Sequence, residues 1–363
     1  MGANFSEDTK LYLTPSGLTF DRRASLSFPL AGGPLNFGAL EVVLRSAKKT
    51  IYQATFPIAS LEALKEQLPA SLHAKFNATL KRLTAPRKPL DLPGGAVLSF
   101  AKPLVMGVLN LTPDSFSDGG LYMNPGLAVE RAGALFDEGA DIVDIGGEST
   151  RPGAKEVPPE EEIQRLAPVF DIIKELPGPV SVDTRKAAVM AAALEAGAGL
   201  INDISALTFD PGALDAVKSA PGIVLMHALG VPETMQDNPG YDDVLLDVYD
   251  YLEERIEVCA RAGIDRERLI VDPGIGFGKT TGHILDLLKN LSLFHGLGAP
   301  VLVGVSRKRF IGELTGVKDP KGRLSGSIAA AVLAAGQGAH IIRCHDVAET
   351  AQALAVFNAV GGN

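Results

Sequence analysis

Eight short runs of Val, Ile, Leu and Met, each stopping abruptly in polar or charged residues, recur between residues 104 and 345 and leave few folds open to the chain. They are residues 104–110 (LVMGVLN), 141–147 (DIVDIGG), 180–184 (VSVDT), 199–205 (GLINDIS), 222–227 (GIVLMH), 269–273 (LIVDP), 301–306 (VLVGVS) and 340–345 (HIIRCH). Continuous rather than alternating apolar runs suit strands covered on both faces, the condition of parallel strands with helices between them. Helix-like stretches do separate these runs. Eight strand and helix units in about 260 residues match the α/β class and, within it, a (β/α)8 TIM barrel, whose catalytic groups stand at the C-terminal ends of the strands. Here those ends carry Asn110, Glu148, Asp183, Asn202, His227, Asp272, Lys308, Arg343 and His345.

A barrel does not use the whole chain of 363 residues, and about 95 are left over at the N-terminus. Strand-like runs at 11–13, 26–30, 40–44 and 50–56 alternate there with turn signals. Ser60 reads as an N-cap with Glu62 and Glu66 in the first turns, Pro69 breaks that helix, and a second spans 71–83. This predicts a small α+β accessory domain over 1–95 ahead of a barrel domain over 96–363. The stretch 85–95 (APRKPLDLPGG), with three prolines and two glycines, reads as a linker or a domain boundary. In the barrel, Thr184 is expected to cap a helix over 185–196, which Gly197 ends. The last helices, 327–335 and 346–359, are rich in Ala, Val and Leu, which suits packing on the barrel and a subunit interface equally.

With 46% hydrophobic and 21% charged residues, the chain has the composition of an ordinary globular protein. No apolar stretch approaches the roughly 20 residues of a membrane span, and the first ten residues (MGANFSEDTK) lack the pattern of a signal peptide. A cytoplasmic location and no membrane partner are expected. Two cysteines, Cys259 and Cys344, make neither a disulfide framework nor a zinc quartet. Residues 1–95 hold 12 Lys and Arg against 7 Asp and Glu, a surplus of +5, so the whole-chain charge of −9 leaves −14 on the remainder. That balance argues against nucleic acid as a partner of the barrel. The basic surplus reads either as a solvated face or as a contact with an acidic partner.

Three loops are richer in Gly, Ser, Thr and Asp than turns require. Residues 110–120 (NLTPDSFSDGG) read as a lid over substrate, and residues 146–153 (GGESTRPG) carry an arginine suited to phosphate oxygens. Residues 274–279 (GIGFGK) suggest a nucleotide P-loop, but the pattern demands Gly where Pro273 stands, and Asp272 beside it repels phosphate. Asp183, Asn202 and Asp272 end separate strands and converge in the barrel mouth, where carboxylates and an amide suit a flat heterocycle with adjacent N–H donors. Arg343 and His345 lie two apart on one strand, so they share a face opposite Cys344 and, with Arg151, offer an anion site. Lys308 follows Ser306 at a strand-to-helix turn, where helix N–H groups favour a carboxylate or phosphate.

Residues 106–120 (MGVLNLTPDSFSDGG), 141–153 (DIVDIGGESTRPG), 182–184, 201–205 (INDIS), 272–279 (DPGIGFGK), 306–310 (SRKRF) and 341–347 (IIRCHDV) stand in an order that closely resembles the dihydropteroate synthase family. The resemblance covers the chain from about residue 98 onward. It implies condensation of 6-hydroxymethyl-7,8-dihydropterin diphosphate with 4-aminobenzoate, giving dihydropteroate and diphosphate, with Asp183, Lys308, Arg343 and His345 as the catalytic set. Asp183, Asn202, Met226, Asp272, Gly304 and Lys308 would hold the pterin, and Asn110, Thr150, Arg151, Arg343 and His345 the diphosphate, with Mg2+ on Asn110. The aminobenzoate would lie among Phe116, Thr150, Pro152, Phe277, Lys308 and Arg309. The resemblance further implies lids after the first two strands, a homodimer through the last helices, and competitive inhibition by sulfonamides.

The chain departs from the family at Ala228 and Leu229, where many members read Met-Gln, and at Ile284, where Asn is common. A pterin-binding methyltransferase shares the barrel and the pterin-directed Asp and Asn residues, but the Ser306-Arg307-Lys308 turn, Arg343, His345 and the two lids favour the synthase. An inactive pterin-binding protein would keep the pocket and lose the lids.

Overall fold

The computed structural model describes residues 8–21, 26–112, 125–149, 156–230 and 239–362. The chain opens with β1 (Lys10–Thr19), β2 (Phe28–Pro29), β3 (Asn36–Ser46) and β4 (Lys49–Pro57), an antiparallel sheet centred on β3, followed by α1 (Leu61–Gln67) and α2 (Ala70–Thr84). Leu11, Leu13, Leu40, Val42 and Leu44 of the sheet pack with Leu64, Phe76 and Leu83 of the helices into one apolar core that continues into the barrel. Ser60 stands at the N-cap of α1, yet its hydroxyl makes no capping bond, because the helix is entered from a 3-10 turn over Ile58–Ser60.

The basic surplus of this unit has its acidic partner inside the same chain. Lys10 pairs with Asp250 (2.9 Å), Arg45 with Asp247 (2.7 Å), Lys48 with Asp242 (3.1 Å), Lys75 with Glu253 and Lys88 with Glu267 (2.5 Å), every carboxylate belonging to the barrel. The exposed pairs contribute little each. Arg45 differs from them, being 4% exposed.

The stretch expected as a linker is a packed segment. β5 (Leu90–Asp91) pairs with β6 (Val97–Leu98), so residue 95 falls in the turn of a hairpin. Leu90, Leu92, Leu98 and Phe100 pack against Met106, Ile142, Leu200, Val224, Ile270, Leu302 and Ile341. The hairpin therefore closes the floor of the barrel. Proline and glycine are needed by its tight turns as much as by a tether, so composition does not separate the two readings.

The eight apolar runs are the barrel strands β7 (Leu104–Asn110), β8 (Ile142–Gly146), β9 (Val180–Asp183), β10 (Leu200–Asp203), β11 (Gly222–Met226), β12 (Leu269–Asp272), β13 (Leu302–Gly304) and β14 (Ile341–Cys344). All pairs are parallel, and a bridge between Val271 and Val301 joins β12 to β13 to close the ring. Between and after them lie α3 (Pro125–Asp137), α4 (Pro159–Phe170), α5 (Ala187–Ala196), α6 (Ala213–Ala216), α7 (Val244–Arg261), α8 (Thr281–Lys289), α9 (Arg309–Thr315), α10 (Leu324–Gly336) and α11 (Val347–Val360). This is the expected (β/α)8 barrel. Among the described residues no helix is long and apolar enough to cross a membrane.

Helix α5 begins two residues later than expected and is not capped by Thr184. The Thr184 hydroxyl accepts the N–H of Lys186 (3.3 Å), and the first helical N–H, that of Ala187, goes to Asp210 (2.8 Å), which is distant in sequence. Gly197 does end the helix, at φ 116°.

Leu90→Ala should remove about 2–5 kcal/mol of stability, because the floor of the barrel is left with a cavity. Thermal or urea unfolding checks this, and a loss under about 1 kcal/mol would mean that the hairpin is dispensable to the barrel core.

Candidate active site

Strand parity builds the site. In a strand, residues two apart face the same side. Ile142, Leu200, Val224, Ile270, Leu302 and Ile341 fill the barrel interior next to the floor hairpin, and two residues beyond them stand Asp144, Asn202, Met226, Asp272, Gly304 and Arg343. Register then sets these ends level: Asn110 lies opposite Gly146, Gly146 opposite Asp183, Asp183 opposite Asn202, Met226 opposite Asp272 and Gly304 opposite Arg343.

Arg343 is the hub. Its Nε donates to Asp144 Oδ2 at 2.6 Å and an NH2 donates to Asp183 Oδ2 at 2.8 Å, while Asn202 Nδ2 donates to Asp144 Oδ2 at 3.1 Å. Asp144 is fully buried, and its Oδ1 has no partner among the described residues. A buried carboxylate oxygen left so is a costly vacancy that an N–H donor would fill. Sequence reasoning missed Asp144, although a charge two residues after Ile142 inside an apolar run was the available signal. Arg343, expected at the diphosphate, thus gives two of its N–H groups to carboxylates. Burial opposes its charge, but Asp144 and Asp183 outweigh burial and raise its pKa. Burial pushes the Asp183 carboxyl up, with Arg343 pulling the other way.

Opposite this hub, Asp272 Oδ1 accepts the N–H of Gly274 (2.7 Å), and burial raises its pKa against the pull of Lys308. Lys308 donates to the carbonyl of Ile275 and sits 4.5 Å over the ring of Phe277. Burial lowers its pKa to about 8, although Asp272 holds it up. The turn before it is strained: Arg307 has φ 59°. Ser327 accepts the Arg307 N–H (2.9 Å), Arg323 donates to its carbonyl (3.0 Å), and Asp346 accepts its side-chain Nε–H (3.0 Å). With Arg307 drawn out to Asp346, Lys308 turns into the barrel. Met226 and Gly304 complete the wall, and a Cβ on Gly304 would lie 3.9 Å from Lys308 Nζ.

Lys279, which sequence reasoning passed over, is buried beneath the 272–279 loop. Its ammonium reaches His227 Nδ1 (2.9 Å) and the carbonyl of Phe277 (3.0 Å). Burial lowers its pKa to about 7, and burial together with Lys279 lowers that of His227 to about 3, so the imidazole is neutral and accepts. His227 is therefore a support of the loop. Ala228 and Leu229 follow it at the rim, and Ile284 is buried in α8.

At the rim Glu148 accepts from Val157 N (2.9 Å), Arg185 Nε (3.2 Å) and Lys186 Nζ (3.1 Å), fastening the start of the 146–153 loop. Asn110 and His345 are half-buried there, and the His345 N–H donates to Ser306 Oγ (3.2 Å). Arg309 is exposed at the start of α9 and pairs with Glu313 (2.5 Å). Phe116, Thr150, Arg151 and Pro152, and with them most of both expected lids, lie outside the described residues.

The model of the pterin binding enzyme family matches residues 106–345, the whole of this site. The dihydropteroate synthase of Escherichia coli K12 is 50% identical over 267 residues, 73% of this chain and 94% of that protein. The chain belongs to the dihydropteroate synthase family. Among solved structures, the family's Xanthomonas albilineans enzyme with 4-aminobenzoic acid superposes with a TM-score of 0.71 at 51% identity, over 76% of this chain and 98% of that one. The Yersinia pestis enzyme in a sulfonamide drug complex gives 0.72 at 45% identity, over 76% and 100%. The residues before 106 lie outside the match to the family model.

Gly274→Ala should damage this family's pocket from the backbone outward. Gly274 has φ 68°, and a Cβ there would stand 1.8 Å from the His227 carbonyl oxygen. We expect at least a tenfold loss of pterin binding together with a lower melting temperature, since the strain alone costs about 1–3 kcal/mol. Unchanged binding in a calorimetric titration would mean that the 272–279 loop does not shape the pocket.

Proposed function

We propose that this chain is a working dihydropteroate synthase, joining 6-hydroxymethyl-7,8-dihydropterin diphosphate to 4-aminobenzoate with release of diphosphate. The observation that carries the reading is the set of Asp144, Asp183, Asn202 and Lys308 around Arg343, with Asp144 Oδ1 unsatisfied among the described residues. A pterin edge presents adjacent N–H groups and a ring carbonyl. Two carboxylates accept the first, and the ammonium of Lys308 donates to the second. Arg343 acts first by holding Asp183 in place, and its remaining N–H groups are left for the leaving group; His345, Thr150 and Arg151 are proposed to share that role.

The bond from the exocyclic methylene to the diphosphate oxygen breaks, and both electrons leave with the diphosphate. The electron-rich pterin stabilises the cation that develops, and the neutral aniline nitrogen attacks that carbon. The nitrogen then loses its proton, which it gives up readily once the new C–N bond has formed, so no strong base is needed. The ring of 4-aminobenzoate would lie along Phe277 beside Lys308, and Phe116, Pro152, Thr150 and Arg309 are proposed as further contacts of it. Asn110 supplies a neutral carbonyl oxygen at the rim, and the described residues hold no group of three His, Cys, Asp or Glu able to cage a metal. This sparse donor set fits Mg2+ that is bound largely through substrate phosphate oxygens. When bound there, the ion would add positive charge at the departing diphosphate.

Residues 1–95 are proposed as an accessory unit and 96–363 as the synthase domain. A homodimer through α10 and α11 is proposed from the exposed Leu333, Val356 and Val360. A cytoplasmic location is proposed from two buried free thiols, Cys259 and Cys344. Sulfonamides are proposed as inhibitors competitive with 4-aminobenzoate.

Purified protein given the pterin diphosphate, Mg2+ and 4-aminobenzoate should release diphosphate and form dihydropteroate in equal amounts, and Asp183→Asn should remove most turnover while sparing the fold. Near-normal kcat/KM in that variant, or no turnover by the parent, would overturn the reading. The pH profile offers a second check. Lys308 must carry its proton to donate, and its pKa is about 8, so kcat/KM should fall about tenfold per unit as pH rises beyond that value. A profile flat to pH 9.5 would exclude this role.

A further inference from the structure

The N-terminal unit grips the barrel at α7, a helix whose entry turn touches the pocket loop. Arg45 on β3 donates to Asp247 Oδ1 at 2.7 Å, and Tyr12 on β1 donates to Asp250 at 2.9 Å, both carboxylates standing on α7. The other oxygen of Asp247 accepts the backbone N–H groups of Asp242 (3.0 Å) and Asp243 (3.2 Å), and Asp243 in turn caps α7 by accepting from Leu246 (3.1 Å). One carboxylate thus joins the N-terminal sheet to the turn that leads into α7. The residue just before that turn is Tyr241, whose hydroxyl donates to the carbonyl of Gly278 at 2.8 Å.

Gly278 lies in the 272–279 loop close against the backbone of Leu229: a Cβ there would be 2.5 Å from the Leu229 carbonyl oxygen. Its neighbours are Phe277, under Lys308, and Lys279, which holds the Phe277 carbonyl and His227. An unbroken line of contacts therefore runs from Arg45 through Asp247, the 241–243 turn and Gly278 to Phe277 and Lys308. A guanidinium that only lent charge to a surface would stand in water, whereas Arg45 is 4% exposed and committed to its carboxylate.

We propose that Arg45 is a positioning residue for this active site: by clamping Asp247 it fixes Tyr241 and, through it, the loop that presents Phe277 and Lys308 to substrate. This rests on the synthase reading for its kinetic effect. A double-mutant cycle measures the coupling between the two ends of this line.

Arg45→Met and Tyr241→Phe should each raise the KM for 4-aminobenzoate by roughly fivefold with kcat within about twofold. The double variant should be no worse than the larger single one, and Arg45→Lys should recover part of the loss. Hydrogen exchange of the peptide covering 272–279 reads the same coupling without turnover, and should be faster in both single variants. The proposal is overturned if the two KM effects multiply, if Arg45→Met lowers the melting temperature with unchanged KM, or if exchange in that peptide stays at the parent rate. Should Arg45→Met fail to fold, Tyr241→Phe, which removes a single hydroxyl, decides the matter by KM and exchange. A parent protein without turnover would count against the synthase reading, and the exchange measurement would still test the clamp.

Discussion

The mouth of this barrel is arranged around one half-buried cation, Arg343. Arg343 lies between Asp144 and Asp183, 2.6 and 2.8 Å from their oxygens, and its charge works against the upward push that burial exerts on the Asp183 carboxyl. An isolated buried charge costs several kcal/mol, and the cluster is tolerated because two N–H groups of Arg343 meet carboxylate oxygens. Among the described residues the arrangement still leaves Asp144 Oδ1 without a donor. A site with one surplus acceptor and rigidly held walls is shaped for a molecule that brings its own N–H groups, and catalytic residues so anchored need little reorganisation when charge develops on the substrate.

The surrounding fold works to keep this constellation level. The floor hairpin packs beneath Ile142, Leu200 and Ile341, and the polar residues two positions further along each strand are lifted to a common height. From the other side, the neutral His227 and the buried Lys279 brace the loop that carries Phe277. Burial makes these supports sensitive to acid. His227, and apart from this loop the His295 and His340 rings that meet edge-on at 5.2 Å, are all held far below the usual histidine range by burial, so the unfolded chain takes up protons first. Their contribution to stability is present above about pH 6.5 and is lost as pH falls below it.

Much of this was legible in the sequence. Uninterrupted apolar runs admit few arrangements but covered parallel strands, and the convergence of Asp183, Asn202 and Asp272 follows from their place at strand ends. Asp144 was hidden because a charge within DIVDIGG reads as the edge of a turn until strand parity is known. Residues 85–95 were misjudged because prolines and glycines serve a packed hairpin as well as a tether. The cap of α5 escaped notice because Asp210 lies far along the chain from Ala187. Nor does a count of charges say what they face: the surplus in residues 1–95 is met by carboxylates of the barrel such as Asp247 and Glu253, which only the fold brings near.

The central claim is that the carboxylates held by Arg343 are the pterin site, and calorimetric titration with 6-hydroxymethylpterin, which lacks the diphosphate, tests it without any chemical step. Asp144→Asn keeps the shape of the side chain while removing the charge that binds Arg343 and the oxygen that a ligand N–H would meet. The account predicts that this variant folds and binds the pterin at least about tenfold more weakly than the parent, as befits a charged hydrogen bond of about 1.5–3 kcal/mol. A folded variant with undiminished affinity would place the pterin elsewhere and contradict it.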